Sequence, residues 1–120
     1  MSAVIKLDRE RPLVYTLLAL KQFKQKYGKP FGGIFVPMDG NPPEIAIDTD
    51  CMVHAIWAGL IADDAKITVE RTERLLQAHF RNGGYYPDMV ELVATAYKES
   101  GVSLVKKDDP DEDEDAPPAA

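Results

Sequence analysis

Cys51 and His54 come nearest, by type and spacing, to a site that could do chemistry. They lie three positions apart, so a helix would place them on one face, with Asp48 close before them. Thiolate, imidazole and carboxylate groups all bind zinc, but a closed zinc site takes four ligands, usually from paired Cys and His clusters. The sequence has one Cys and two His, so a second cluster is absent. We therefore expect no metal site, and we interpret Cys51 as a buried apolar residue and His54 as a partly buried helix residue.

The other motifs that could support catalysis are incomplete. The adjacent acids Asp63 and Asp64 have no accompanying nucleophile or positioned base, and such pairs after a helix are common in solvated turns. The two Gly-Gly pairs lack the Lys-Ser/Thr ending of a phosphate-binding loop and the spacing of a dinucleotide fingerprint. No Gly-x-Ser-x-Gly or His-Glu-x-x-His motif occurs. We expect a protein that is not an enzyme and that needs no cofactor.

The element that carries Cys51 and His54 is the most apolar stretch of the chain, DTDCMVHAIWAGLIADD at residues 48–64. Between Cys51 and Ala62 only His54 and Gly59 are not plainly apolar, and a helix that is apolar on nearly every side must be buried. Its length of about 14 residues is too short to span a bilayer, which takes roughly 20. We predict the central helix of a small domain, with a backbone or a large side chain approaching Gly59.

Three further helices are predicted where apolar residues recur at helical spacing between start and stop signals. They run over about 15–27, from the capping residue Thr68 to about residue 82, and from about Pro87 to residue 100, with Pro12 placed near the start of the first. Residues 3–7 alternate weakly and predict a short extended strand. Residues 28–47 hold four Gly and four Pro, which excludes a helix and favours a loop, or a hairpin of strands at 34–36 and 44–47.

The predicted fold class is therefore mainly α. Residues 1–105 are expected to form a small four-helix domain with a short N-terminal extended strand and a Gly/Pro-rich loop or hairpin at about 28–47. No helix is expected anywhere in residues 28–47. Residues 106–120, KKDDPDEDEDAPPAA, have no apolar residue larger than alanine or proline. Because such a segment cannot bury enough apolar surface to offset the entropy of ordering, we predict a disordered acidic tail.

The charge of the chain is unevenly distributed. The formal net charge is −6, yet residues 1–29 carry seven Lys or Arg against two acids, and residues 106–120 carry two Lys against seven acids. The total does not indicate a nucleic-acid-binding surface, so no nucleic-acid partner is expected. The N-terminus lacks the apolar core of a signal peptide, and no stretch is long enough to cross a bilayer. We expect a cytoplasmic protein without membrane contact.

The order of the segments supplies a further indication. A short extended segment leads to RPLVYTLLALKQFKQKYGKP, then to HAIWAGLIADDAKITVERTERLL, and then to a last amphipathic helix and a charged tail. Over about residues 3–103 this order resembles the tail assembly chaperones of long-tailed bacteriophages. The segment similar to that family's central signature is a helix ending Trp-Ala-Gly-Leu, followed by acids, a short gap and Ile-Thr-Val-Glu. The Gly/Pro-rich segment at 29–47 is larger than the family pattern.

The resemblance implies a non-enzymatic helper that binds the tape-measure protein, keeps its long hydrophobic helices soluble and helps recruit tail-tube subunits. It also implies a place in the host cytoplasm and absence from the mature virion. Many members of the family are made in two forms by a programmed ribosomal frameshift near the end of the short form. The partners expected from the resemblance are thus the tape-measure protein and the tail-tube protein, and self-association is left open.

Partner contact is expected where amphipathic helices receive a partner helix in a groove. The candidate contact residues are Leu13, Leu17, Lys21, Phe23, Lys24, Trp57, Leu76 and Tyr97. Each apolar member of this set is also a candidate core residue. Lys21, Lys24 and Lys26 form a basic helix face that would steer acidic partners or would simply be solvated.

Two hypotheses concern the acidic block at residues 108–115. In the alternative function, the protein is an acidic regulatory or anti-host protein whose tail imitates nucleic acid and occupies a basic protein partner. In the other, the tail screens the basic first helix until a partner arrives. The plain interpretation is a solubilising appendage.

Overall fold

The computed structural model describes residues 3–35 and 43–101. In these ranges the elements are β1 (Ala3–Lys6), β2 (Glu10–Leu13), α1 (Leu17–Tyr27), a 3₁₀ helix (Phe31–Phe35), α2 (Glu44–Ile47), α3 (Thr49–Leu60), α4 (Val69–Arg81) and α5 (Tyr86–Glu99). The predicted mainly helical class with a short N-terminal strand is confirmed. The acidic tail predicted at 106–120 lies outside the described residues. No helix in the described ranges combines the length and apolarity that crossing a membrane requires.

The N-terminal strand has a partner that the sequence did not reveal. β1 pairs antiparallel with β2, and Val4 lies opposite Pro12. The placement of Pro12 near a helix start is therefore wrong, since this residue belongs to a strand. Proline has no N–H to give to a ladder and is tolerated at a sheet edge, and both strands of a two-stranded sheet are edges. The alternation puts Ile5 and Leu13 in the core, where each is at most 2% exposed.

Local capping decides where the long helices begin and end. The hydroxyl oxygens of Thr16 and Thr68 each accept a hydrogen bond from the N–H three residues on, at 3.0 Å, and start α1 and α4. The Asp48 carboxylate caps α3 in the same way. Gly28, with φ of +96°, ends α1 in the left-handed conformation that glycine adopts without strain. Thr16 was not predicted as a cap, but the observed ends of α1, α4 and α5 lie within two residues of the predicted ones, because these signals depend on neighbours in sequence.

The segment at 28–47 contains helical turns instead of a strand pair. Ile34 lies in the 3₁₀ helix, and the predicted strand at 44–47 is the single turn of α2, so the hairpin alternative is wrong, as is the expectation of no helix. Residues 36–42 lie outside the described part. Tertiary contacts favour the turn: Ile45 is buried, and the Glu44 carboxylate accepts hydrogen bonds from the Tyr27 hydroxyl and the Lys29 ammonium. These two donors lower the pKa of Glu44, the tyrosine more than the lysine.

α3 is the centre of the domain, as predicted. It packs against α1, α2, α4, α5 and β2, and every residue from Ala55 to Leu60 is buried. The close approach expected at Gly59 is present: a Cβ placed there would lie 2.5 Å from Leu13 Cδ1 and 2.9 Å from Tyr15 Cζ. In addition, the N–H of Val14 donates to the Gly59 carbonyl at 2.9 Å. A glycine in α3 thus lets the segment after β2 lie directly on the helix backbone.

Candidate functional site

The structure separates the predicted contact residues into two groups. Five of them are buried: Leu13, Phe23, Trp57, Leu76 and Tyr97. The others are exposed on α1: Leu17, Lys21 and Lys24. The set therefore does not form one surface, and a buried member would meet a partner only where it borders an open cavity.

Three of the buried residues have evident packing roles. Phe23 and Tyr97 both contact Phe31, with ring centroids 4.9 Å apart in each pair, in an aromatic cluster that joins α1 to α5. The indole N–H of Trp57 donates to the Ile67 carbonyl at 3.0 Å in a buried position. This bond links α3 to Ile67, the residue immediately before Thr68, which caps α4. Phe23, Tyr97 and Trp57 thus hold elements together.

Cys51 and His54 occupy the places predicted for them. Cys51 is fully buried, and this burial raises the pKa of its thiol to about 12, so the thiol stays protonated and unreactive at neutral pH. The His54 side chain is 13% exposed, and its Nδ1 lies 2.9 Å from the carbonyl oxygen of Asp50. Within residues 3–35 and 43–101 no group of three or more His, Cys, Asp or Glu is arranged to hold a metal ion.

Asp63 and Asp64 are not the solvated pair that their sequence context suggests. Asp63 pairs with Arg9 at 2.9 Å and Asp64 with Arg11 at 3.4 Å, so both acids bind the β1–β2 turn region to the end of α3. Arg11 is only 3% exposed and also donates twice to Asp8, at 2.8 and 2.9 Å. The hydrogen bonds from Arg11 hold the pKa of Asp8 at about 2, well below its usual value. This cluster has a structural role.

An open groove lies between α3 and α4. It has a volume of about 380 Å³. Its floor is apolar and is lined by Met52, Val53, Val69, Leu76, Phe80 and Tyr86. Polar side chains of Thr49, Asp50, Glu73 and Gln77 complete the lining. Of the eight predicted contact residues, only Leu76 lies here.

The groove forms because α4 packs chiefly on α3 and has fewer neighbours than the other long helices. Val69, Thr72 and Leu76 face the core, while the opposite side of α4 is charged. The hydroxyl of the buried Thr72 is satisfied by the Thr68 carbonyl at 2.9 Å, so the helix can bury this polar residue. Beside the contact between α3 and α4, apolar residues of both helices remain accessible and line the groove.

Two exposed apolar residues lie close in sequence to residues that line the groove. Ile47 is 64% exposed and lies two positions before Thr49, and Tyr85 is 63% exposed and immediately precedes Tyr86. Neither residue is among the predicted contact residues: Ile47 lies in the segment predicted as a strand, and the pair Tyr85-Tyr86 indicates a hinge or packing feature, with an exposed binding role as the less favoured alternative. The available signal was two adjacent tyrosines before the helix-starting Pro87, which is more aromatic surface than a helix start needs.

The charged side chains that line the groove are negative. Asp50 and Glu73 are the charged residues that line it in the described ranges, and both are exposed and acidic. An apolar channel with carboxylates on its rim favours a partner that carries apolar residues on one face and Lys or Arg beside them.

Comparisons with protein-family models, with curated proteins and with solved structures find no match to this chain.

Proposed function

We propose that the protein is a tail assembly chaperone of a long-tailed bacteriophage. In this role it binds helices of the tape-measure protein in the host cytoplasm, keeps them soluble and helps to recruit tail-tube subunits, and it is absent from the mature virion. The observation that carries the proposal is the open apolar groove between α3 and α4. An amphipathic helix binds such a groove through anchors at positions i, i+3, i+4 and i+7.

The composition of the groove supports a protein helix as the ligand. The groove is open, and six of the ten residues that line it are apolar, which suits several side chains of a helix better than one small polar molecule. The exposed Ile47 and Tyr85 would extend the apolar contact beyond it.

The resemblance to the chaperone family concerns the same two helices. The Trp-Ala-Gly-Leu ending belongs to α3, and the Ile-Thr-Val-Glu segment leads into α4. The two helices that carry the central signature are thus the ones that build the groove, and Val69 of that signature lines it. This agreement supports placing the chaperone activity there, away from the buried aromatic cluster.

The proposal is tested by co-expressing the protein with the long tape-measure protein of the same phage. We expect more tape-measure protein in the soluble fraction and co-purification of the two chains. Val53→Glu places a carboxylate on the groove floor and should reduce co-purification at least tenfold. Val4→Glu makes the same chemical change at a 46% exposed residue of β1 and is the matched control.

Three outcomes would count against this assignment. If the wild-type protein neither raises the soluble yield nor co-purifies, the chaperone function is wrong. If Val53→Glu and Val4→Glu bind equally well, the function stands but the groove is not its site. Salt-sensitive binding to an unrelated basic protein that requires residues 108–115 would favour the acidic regulatory alternative.

A further inference from the structure

The exposed side of α1 is a second surface that the groove does not use. Leu17 and Leu18 are 73% and 60% exposed, and Lys21, Lys24 and Lys26 follow them along the helix, also exposed. None of these lysines pairs with an acidic residue in the described part of the chain. α1 has no acidic residue of its own. At about 100° per residue, Leu17, Leu18, Lys21 and Lys24 share one side of α1, whereas Lys26 lies about 180° from Leu17 around the helix. We call the first four residues the α1 face.

The α1 face begins close to the point where the chain leaves the described structure. Glu99 and Ser100, at the end of α5, line a small cavity of about 70 Å³ together with Val14 and Tyr15. Leu17 follows Tyr15 by two positions, and Gly101 is the last residue described before the C-terminal segment. The segment therefore starts beside the N-terminal end of α1.

The order of residue types in this segment matches the order on the α1 face. Residues 102–105 are VSLV, and residues 108–115 contain seven acids and one proline. On α1 the leucines come first and the lysines follow, so a segment running along the helix in the same direction meets apolar with apolar and acid with base. Lys106 and Lys107 lie between residues 102–105 and 108–115 and carry the only positive charges of the segment.

The distances permit this arrangement. Seven residues from Gly101 to Asp108 span at most about 25 Å when extended. Lys21 and Lys24 lie roughly 6 and 10 Å beyond Leu17 along the axis, at a rise of about 1.5 Å per residue. The chain between Gly101 and residues 108–115 is therefore longer than the distance to these lysines requires.

We propose that residues 102–115 bind the α1 face of the same chain, with the apolar residues against Leu17 and Leu18 and the acidic block against Lys21 and Lys24. Exposed ion pairs are individually weak and are screened by salt. The covalent tether gives the segment an effective concentration in the millimolar range, so several weak pairs suffice for a dynamic contact. A partner of the α1 face must then displace the segment. This proposal is independent of the function assigned to the groove.

Zero-length carbodiimide cross-linking of the full-length protein, followed by peptide mass spectrometry, tests the contact directly. We expect amide cross-links from the acids at 108–115 to Lys21 and Lys24, at several times the yield to Lys66. Lys66 is the matched control because it is exposed and also lacks an ion pair with a described residue. Sodium chloride at 1 M should reduce the α1 cross-links severalfold, because it shortens the screening length to about 3 Å.

A second measurement uses the variant D111N/E112Q/D113N/E114Q/D115N. Neutralising these acids should raise deuterium uptake in α1 at least twofold and leave uptake in α3 unchanged, whereas the variant K66Q should change neither. Cross-links spread evenly over α1 and Lys66, or uptake in α1 that does not change, would overturn the proposal. Cross-links found only between chains in a mixture of ¹⁴N- and ¹⁵N-labelled protein would overturn its intramolecular form.

Discussion

At the scale of single residues, Gly59 shows how a small side chain lets two elements approach. Tyr15 cannot easily move aside, because its ring is buried and its hydroxyl donates to the Ala55 carbonyl at 2.6 Å. Leu13, a buried residue of β2, packs against Gly59 in the same contact. A methyl group at position 59 must therefore displace atoms that have other packing and hydrogen-bonding roles.

We predict that Gly59→Ala destabilises the domain. Overpacking costs about 1–3 kcal/mol, and alanine recovers roughly 0.5–1 kcal/mol of helix propensity. The net loss should be about 1–2 kcal/mol in the free energy of unfolding, measured by urea denaturation. Gly33→Ala is the control, since the nearest heavy atom to its new methyl would be Pro30 Cγ at 4.0 Å. A Gly59→Ala protein as stable as wild type would show that Leu13 relaxes freely.

The pairing of Asp8 with Arg11 predicts a loss of stability in acid. The folded pKa of Asp8 is about 2, against a usual 3.8, so the unfolded chain binds the proton more tightly. The stabilisation is therefore present above about pH 4 and is lost as the pH falls through the folded value near 2. Asp8→Asn should flatten this part of the stability curve, measured by thermal denaturation between pH 5 and 2. An unchanged slope in the variant would assign the acid sensitivity to other carboxylates.

At the scale of elements, α4 is the helix with the least support. One side borders the groove, and the other borders a cavity of about 490 Å³ lined in part by Leu7, Leu75 and His79. Its main packing partner is α3, to which the Trp57–Ile67 hydrogen bond ties its start. A helix anchored along one side can move away from its neighbour at lower free energy than a helix packed on all sides.

We predict that the amides of α4 exchange with deuterium at least tenfold faster than those of α3 at neutral pH. The difference should be largest toward the C-terminal end of α4, beyond the Trp57 contact. Hydrogen exchange resolved by mass spectrometry or NMR measures it, and α3 serves as the internal reference. Equal protection of the two helices would mean that the groove opens only when the whole domain unfolds.

At the scale of the whole molecule, the accessible apolar residues belong to separate regions of the chain. Ile47 and Tyr85 are next to groove-lining residues in sequence, whereas Leu17 and Leu18 lie on the first turn of α1. The groove is lined by acidic residues and the α1 face carries lysines. The two surfaces therefore favour partners of opposite charge.

The sequence alone determined the features that depend on near neighbours. The caps Asp48, Thr16 and Thr68 and the stop at Gly28 act within one helical turn, so the boundaries of the long helices were predictable. The apolar run of α3 required burial whatever the fold, and Gly59 in its middle indicated a close approach. The mainly helical class follows from these local signals.

Only the tertiary structure decided the features that join distant residues. The pairing of β1 with β2 and the ion pairs of Arg11 with Asp8 and Asp64 depend on where the end of α3 lies, so Asp64 looked solvated in sequence. Periodicity identified apolar residues on α1 but left open which would be covered: Phe23 is buried while Leu17 is exposed. The groove exists because of the relative placement of two helices, and burial depends on neighbours that a one-dimensional pattern does not contain.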